Sequence, residues 1–290
     1  MQANVGHTEI FKRSFSQADF DRFAALSRDD NPIHVDPGFS AQTRFGGTVA
    51  HGMMLYGTLC RLFSTRFPGN GTLQIQQDLM FQNPTFTQME VSVHGEVLAV
   101  SNNQGRIEMK TDIVLPDGSK ACDGRALLVM PGLTEGFPGI DPDFDMRKPS
   151  EAEGYKNLQL GQTATVQRAF STGDLDTYAE LIGDTNSLFT DKSYAQKKGF
   201  KDRLIPGPLL SSMFSELLGT RLPGRGTNWL KQSLHFPAAA YVDDLITAQV
   251  EIIRLRPQKN LVTLLGTCKD SQGRLVCQAR TLVLVKDLEE

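Results

Sequence analysis

Four cysteines, one tryptophan and no long apolar run in 290 residues close off several functions at once. Cys60, Cys122, Cys268 and Cys277 are scattered, with no CxxC step and no metal-type spacing. They read as reduced, buried small hydrophobes and give no disulfide framework. No apolar stretch approaches the ~20 residues a membrane helix needs. Met1 to Phe15 lacks the apolar core of a secretory signal, so a cytoplasmic chain with no membrane partner is expected. Charge of one sign is missing too. The formal net charge is -3, without a long acidic or basic run, which offers no hold to nucleic acid. What remains, 40% hydrophobic and 22% charged residues, is ordinary globular composition at a length sufficient for two domains.

What the sequence has is self-similarity. Asp29 and Asn31 recur as Asp184 and Asn186, an offset of 155 (184 minus 29). The same offset relates Phe15-Ser16 to Phe170-Ser171, Gly52 to Gly207, the run Arg66–Thr72 to Arg221–Thr227, Leu79 and Phe81 to Leu234 and Phe236, and Cys122 to Cys277. A constant offset over so long a span marks a tandem duplication. The expected organisation is a first repeat over residues 1–130, a Pro- and Gly-rich linker over 131–160, and a second repeat over 161–290.

Each repeat reads alike. Ser16-x-x-Asp19 and Ser171-x-x-Asp174 have the form of capping boxes that open a short helix. Thr48 to Ser64 and Arg203 to Gly219 are apolar nearly all round, which predicts buried helices. Met89, Val91 and Val93 alternate with polar residues, as do Ile246, Ala248, Val250 and Ile252, and turns such as Asn102-Asn103-Gln104-Gly105 and Asp270-Ser271-Gln272-Gly273 separate such stretches. The prediction is an α+β chain, a double hot-dog in which each repeat wraps an antiparallel meander around a buried helix.

Ser27-Arg28-Asp29-Asp30-Asn31-Pro32-Ile33-His34 sets an acid and an imidazole five positions apart around an Asn-Pro turn. This stretch resembles the hydratase-2 motif of MaoC-like enoyl-CoA hydratases, roughly Ser-Gly-Asp-x-Asn-Pro-Leu/Ile-His, and His51-Gly52-Met53 resembles the same family. The likeness covers both repeats, and Arg28 departs from it where the family usually has Gly. It implies a catalytic dyad of Asp29 and His34, an oxyanion-hole N–H at Gly52, and an Asn31 that orients the dyad or its water. It implies an acyl-CoA substrate, an (R)-3-hydroxyacyl product, an acyl group that is short and branched or dicarboxylic, and a homodimer as a further partner. No metal or redox cofactor is required. In animal and fungal double hot-dog hydratases the intact motif lies in the second half; this chain resembles the bacterial tandem proteins with the reverse order.

The chemistry is coherent without the family. Hydrating an α,β-unsaturated thioester needs a base for water, an acid for the α-carbon and a donor for the enolate-like oxygen. A neutral imidazole beside a carboxylate exchanges protons near neutrality, and a glycine N–H at a helix start supplies the donor. In the second repeat His34 becomes Phe189, Pro32 becomes Ser187 and His51 becomes Pro206, so that copy is expected to be inactive and to complete the substrate tunnel. Competing readings keep their place. Asp29 and Asn31 are also turn formers, Gly52 is also a close-packing residue, and His51 reads first as helix-start packing. Asp29, His34, Asp36 and His51 form no familiar metal-ligand spacing, and His7, His94 and His235 read as unrelated. Arg44, Arg61, Arg66, Lys197, Lys198, Lys201 and Arg203 are cations that CoA phosphates or plain solvent would suit equally. A thioesterase and a non-catalytic acyl-thioester binder are the alternatives on the same fold.

Overall fold

Capping chemistry and alternating burial lay down the same elements twice. The computed structural model describes residues 4–101, 105–129, 139, 141, 144 and 147–288. The expected turn residues Asn102 to Gln104, and most of the connector from 130 to 146, lie outside the described residues. The first half runs β1 (Thr8–Arg13), α1 (Gln17–Ser27), α2 (Pro32–Val35), α3 (Pro37–Ala41), α4 (Gly52–Thr65), β2 (Leu73–Phe81), β3 (Val91–Ser101), β4 (Arg106–Val114) and β5 (Lys120–Val129). A small hairpin, β6 (Gly154–Tyr155) and β7 (Leu158–Gln159), follows. The second half runs β8 (Thr163–Ala169), α5 (Thr172–Ile182), α6 (Ser187–Thr190), α7 (Lys192–Lys197), α8 (Gly207–Thr220), β9 (Asn228–His235), β10 (Leu245–Arg256), β11 (Leu261–Lys269) and β12 (Leu275–Leu284).

Both capping boxes form: the Ser16 and Ser171 side chains accept from the N–H of Asp19 and Asp174, whose carboxylates accept from the serine N–H in return. Both helices end in a left-handed residue, Arg28 at φ 61° and Gly183 at φ 79°. That explains the one departure in the motif: the position favours glycine, and Arg28 holds it with a Cβ in place.

Ten strands make one sheet in the order β1-β3-β4-β5-β2-β9-β12-β11-β10-β8. The halves join where β2 pairs antiparallel with β9. Asp78 lies opposite Ser233, its own mate at the repeat offset, so a local two-fold axis passes through this pair. Inside the sheet α4 packs against α8, and both are buried along nearly their whole length. The symmetry extends to single bonds: Arg13 Nη2 donates to Leu181 O at 2.9 Å, and its mate Arg168 Nη1 donates to Leu26 O at 2.5 Å.

Three details differ from the sequence reading. The buried helices start at Gly52 and Gly207, about one turn later than their apolar pattern suggests. Val49 and Ala50 instead give their N–H groups to Ile33 O and Thr85 O, which holds that stretch extended. The meander is only β3-β4-β5, because β2 lies beyond β5 and carries the join to the other half. Polar β1, unmarked by periodicity, pairs with β3 and buries only Phe11.

Backbone proximity is tightest at Gly124 in β5. A Cβ there would lie 1.8 Å from the Asp78 carbonyl oxygen, in the middle of the joining strand, where no side chain can yield. Gly124→Ala is expected to cost about 2 kcal/mol or more in denaturant unfolding, and a loss below a few tenths would contradict this packing.

Candidate active site

The left-handed end of α1 turns the chain inward at Asp29. Asn31 then caps α2 through its side-chain oxygen, which accepts from Ile33 N–H at 3.3 Å, and Pro32 takes the first helical position. This single turn places His34 back beside Asp29, Nε2 to Oδ2 at 4.0 Å. Both are buried, at 3% and 8% exposure, although neither is apolar. His34 Nδ1 lies 2.7 Å from the Val49 carbonyl, which only accepts, so Nδ1 carries the hydrogen and Nε2 presents its lone pair towards Asp29. Gly52 opens α4, and as its first residue has an N–H with no acceptor inside the helix. Asp29, Asn31, His34 and Gly52 all line one cavity of about 190 Å3.

The other wall comes from the second half: Ser215, Leu218, Gly219 and Trp229. Ser215 Oγ donates to Asp29 Oδ2 at 2.5 Å. A side chain at Gly219 would meet Asp29 Oδ1 at 2.9 Å, so glycine leaves that oxygen room. Burial drives the Asp29 carboxyl above its usual range, and His34, Ser215 and the Asn31 N–H pull it back down. Burial lowers the His34 imidazole, and Asp29 pulls it back up. The two shifts run in opposite directions, so the groups titrate towards one another and suit proton exchange.

His51 stacks on His34 with ring centroids 3.8 Å apart and planes 27° from parallel. Its Nε2 donates to the Asp29 carbonyl at 2.9 Å, tying the dyad's backbone to the start of α4. Burial first, and the neighbouring His34 second, hold it well below the ordinary imidazole value, so it is neutral at working pH. Ligand atoms of Asp29, His34 and His51 all lie within 4.8 Å of one another. The stack nevertheless fits a metal poorly. Near-parallel rings meet in plane far beyond the ~2.1 Å reach of a metal–nitrogen bond.

The second half repeats the frame without the imidazole. Asp184 Oδ1 accepts from Ser64 Oγ at 2.5 Å, and Asn186 caps α6 as Asn31 caps α2. Phe189 stands in for His34, and Tyr56, the mate of small Ser211, reaches to within 3.1 Å of a Cβ placed at Gly207. The cavity there shrinks to about 40 Å3. Asp184 Oδ2 has no partner among the described residues, and burial raises this carboxyl to about 6.

Of the cations considered from sequence, Arg44 lines the active cavity. Arg61 reaches Ile182 O, Lys198 covers the Tyr194 ring, Lys201 pairs with Asp244 and Arg203 pairs with Asp176. Asp36 caps α3, His235 bonds Gly139 O, and His7 pairs with Glu9. Sequence reasoning passed over Ser215, Gly219 and Trp229. Their signal was present as mismatches at the repeat offset: Cys60 against Ser215, Ser64 against Gly219 and Gln74 against Trp229.

Residues 3–116 match the MaoC like domain, and residues 159–279 match the FAS1-like, dehydratase domain region. The chain is 36% identical over 131 residues to an (R)-specific enoyl-CoA hydratase of Rhodospirillum rubrum, covering 45% of the chain and 90% of that protein. It is 37% identical over 121 residues to a mitochondrial 3-hydroxyacyl-[acyl-carrier-protein] dehydratase of Arabidopsis thaliana, covering 41% of the chain and 72% of that protein. A solved MaoC-like dehydratase superposes over 97% of this chain and 98% of its own, with a TM-score of 0.76 at 19% identity. A Mycobacterium tuberculosis protein with a double hot-dog fold superposes over 97% of this chain and 96% of its own, with a TM-score of 0.75 at 12% identity.

The cross-repeat bond is testable. Ser215→Ala removes a donor that favours ionised Asp29, so the acid limb of the pH–rate profile is expected to move to higher pH and the rate to fall about tenfold. An unchanged profile would leave Ser215 a packing residue. Asp184 gives the opposite kind of test. Its folded value of about 6 lies above the ordinary aspartate value of 3.8, so folding favours the protonated form, and the folded state loses stability as pH rises through about 6. Asp184→Asn is therefore expected to stabilise above that pH, by up to about 3 kcal/mol from the shift, and to make little difference below about pH 4. Denaturant midpoints across pH read this directly.

Proposed function

The chain belongs to the MaoC-like dehydratase family of hydro-lyases, and we propose that it adds water reversibly to an α,β-unsaturated acyl-CoA to give the (R)-3-hydroxyacyl-CoA. The observation that carries the reading is the pairing of Asp29 with the free Nε2 of His34 in a cavity closed by the second repeat. In the hydration direction the dyad holds one water. Its proton passes to the dyad as the oxygen joins the β-carbon, and a proton returns from the dyad to the α-carbon on the same face. The enolate-like oxygen of the thioester accepts from the Gly52 N–H, where the α4 dipole adds to the donor. Asn31 holds the turn that sets the dyad's spacing. The reaction takes place without a metal or redox cofactor, CoA being part of the substrate. The cavity's size suits a short acyl group, branched or dicarboxylic.

No helix among the described residues is long and apolar enough to cross a membrane. We place the reaction in the cytoplasm, with a homodimer as the working assembly.

Loss of the conjugated-thioester absorbance of crotonyl-CoA tests the proposal. Asp29→Asn and His34→Ala are each expected to lower kcat by 10²-fold or more, with folding intact. An inert panel of enoyl-CoAs, or free-thiol release in place of hydration, would sink it.

A further inference from the structure

The outer face of the second half's sheet carries a charge that the first half's does not. A bulge between Ile252 and Arg254 shifts the alternation of β10, so that Leu255 is buried like Ile252 while Arg254 and Arg256 face outward. Lys231 on β9 and Arg280 on β12 face outward by the ordinary alternation of their strands. The register sets Lys231 beside Leu282, Leu282 beside Thr263 and Thr263 beside Arg254. Lys231, Arg254, Arg256 and Arg280 line one hollow of about 220 Å3, together with Ser233 and Thr263. The first half has the same bulge, between Val97 and Ala99, and presents nothing comparable on it. At the repeat offset Arg254 and Arg256 become Ala99 and Ser101, Lys231 becomes Gln76, Ser233 becomes Asp78 and Thr263 becomes Glu108. There Arg125, the mate of Arg280, pairs with Glu108 at 3.0 Å. The second half thus sets four cations and no acid at six positions where the first has one arginine and two acids. The chain as a whole is net negative, at -3, so the concentration of positive charge is local.

Like charges on neighbouring strands repel one another, and the carboxylates around this hollow offset them only in part. Glu151 accepts from Arg254 Nη2 at 3.1 Å, and Glu251 accepts from Arg147 Nη1 at 2.7 Å. Lys231, Arg256 and Lys148, which also lines the hollow, have no ion pair among the described residues. The Nε atoms of Arg254 and Arg256 are buried and have no acceptor among the described residues. Guanidinium forks match the oxygens of a phosphate two at a time, and an ammonium and two hydroxyls add single donors. A monovalent anion would satisfy one such fork; a multivalent phosphate meets several together. We propose that this outer face binds a multivalent phosphate, held by Lys231, Arg254, Arg256 and Arg280 over the outward-facing Leu282. The lining of this hollow shares no residue with the cavity of Asp29 and His34. The site is therefore separate from the thioester chemistry, and the inference does not depend on the hydratase reading.

Pyrophosphate titrated into the full chain at physiological salt, followed by calorimetry, is the first test. Saturable binding at one site per chain is expected. The double variant Arg254→Gln/Arg256→Gln, and Lys231→Gln separately, are expected to weaken it about tenfold or more. All these positions are on the sheet surface, so the unfolding midpoint in denaturant is expected to stay near that of the wild type. Arg125→Gln, on the corresponding face of the first half, is expected to leave binding unchanged. Vesicles of phosphatidylcholine with and without phosphatidic acid separate the two sources of such a phosphate. Cosedimentation that needs phosphatidic acid and is displaced by pyrophosphate assigns a lipid headgroup; pyrophosphate binding without cosedimentation assigns a soluble ligand. No saturable binding of pyrophosphate, binding that survives Arg254→Gln/Arg256→Gln, or an equal loss in Arg125→Gln would overturn the proposal. No thioester is present in either arm, so an inert hydratase assay leaves these outcomes untouched.

Discussion

Everything at this site depends on keeping one buried carboxylate usable. Asp29 lies at 3% exposure with no arginine or lysine paired to it among the described residues, an arrangement that burial alone would drive towards protonation. What holds it is a hydroxyl from the far half of the molecule, Ser215, together with the imidazole it works with. The join between β2 and β9 and the packing of α4 on α8 therefore have a chemical consequence beyond stability. They bring a serine 186 residues away in sequence to hydrogen-bonding distance of the acid. A hydrogen bond to a buried charged group contributes about 1.5–3 kcal/mol, and here it works with His34 against the effect of burial.

Duplication explains why the chain contains both a solved and an unsolved version of the same problem. Asp184 carries the same burial and the same Asn cap, but Phe189 leaves it without a proton partner, and its second oxygen has none among the described residues. The second half keeps the frame because the frame shapes the end of α5 and the cap of α6. Its cavity, lined by Phe189, is far smaller, about 40 Å3 against about 190 Å3. Its helix and strand supply Ser215, Leu218 and Trp229 to the cavity of Asp29 and His34. The cavity of Asp29 and His34 is thus walled by both repeats.

The repeat, the dyad and the buried helices were legible because each is a local pattern or a constant offset. The start of α4 was not. Val49 and Ala50 are as compatible with a strand as with a helix, and only their bonds to Ile33 and Thr85 settle the matter. The partner of β2 was not legible either, since alternation reports which face is buried and not which strand lies alongside. Ser215 and Gly219 escaped notice for a deeper reason. They act across the two-fold axis, on the other repeat's acid, so nothing in their own surroundings in sequence marks them. Arg28 is the reverse case: a visible oddity in the motif that becomes a left-handed helix end in three dimensions.

In the proposed reaction Asp29 and His34 face the reacting bond from one side, and the α-proton comes back through the same pair that received it from water. The stereochemistry of addition reports this directly. Crotonyl-CoA hydrated in deuterium oxide, with the product's relative configuration at C2 and C3 read from proton NMR couplings, is the decisive measurement. The account requires one deuterium at C2, added syn to the new C3 oxygen, with R configuration at C3. Anti addition, or a mixture of configurations at C2, would contradict a single dyad acting on one face.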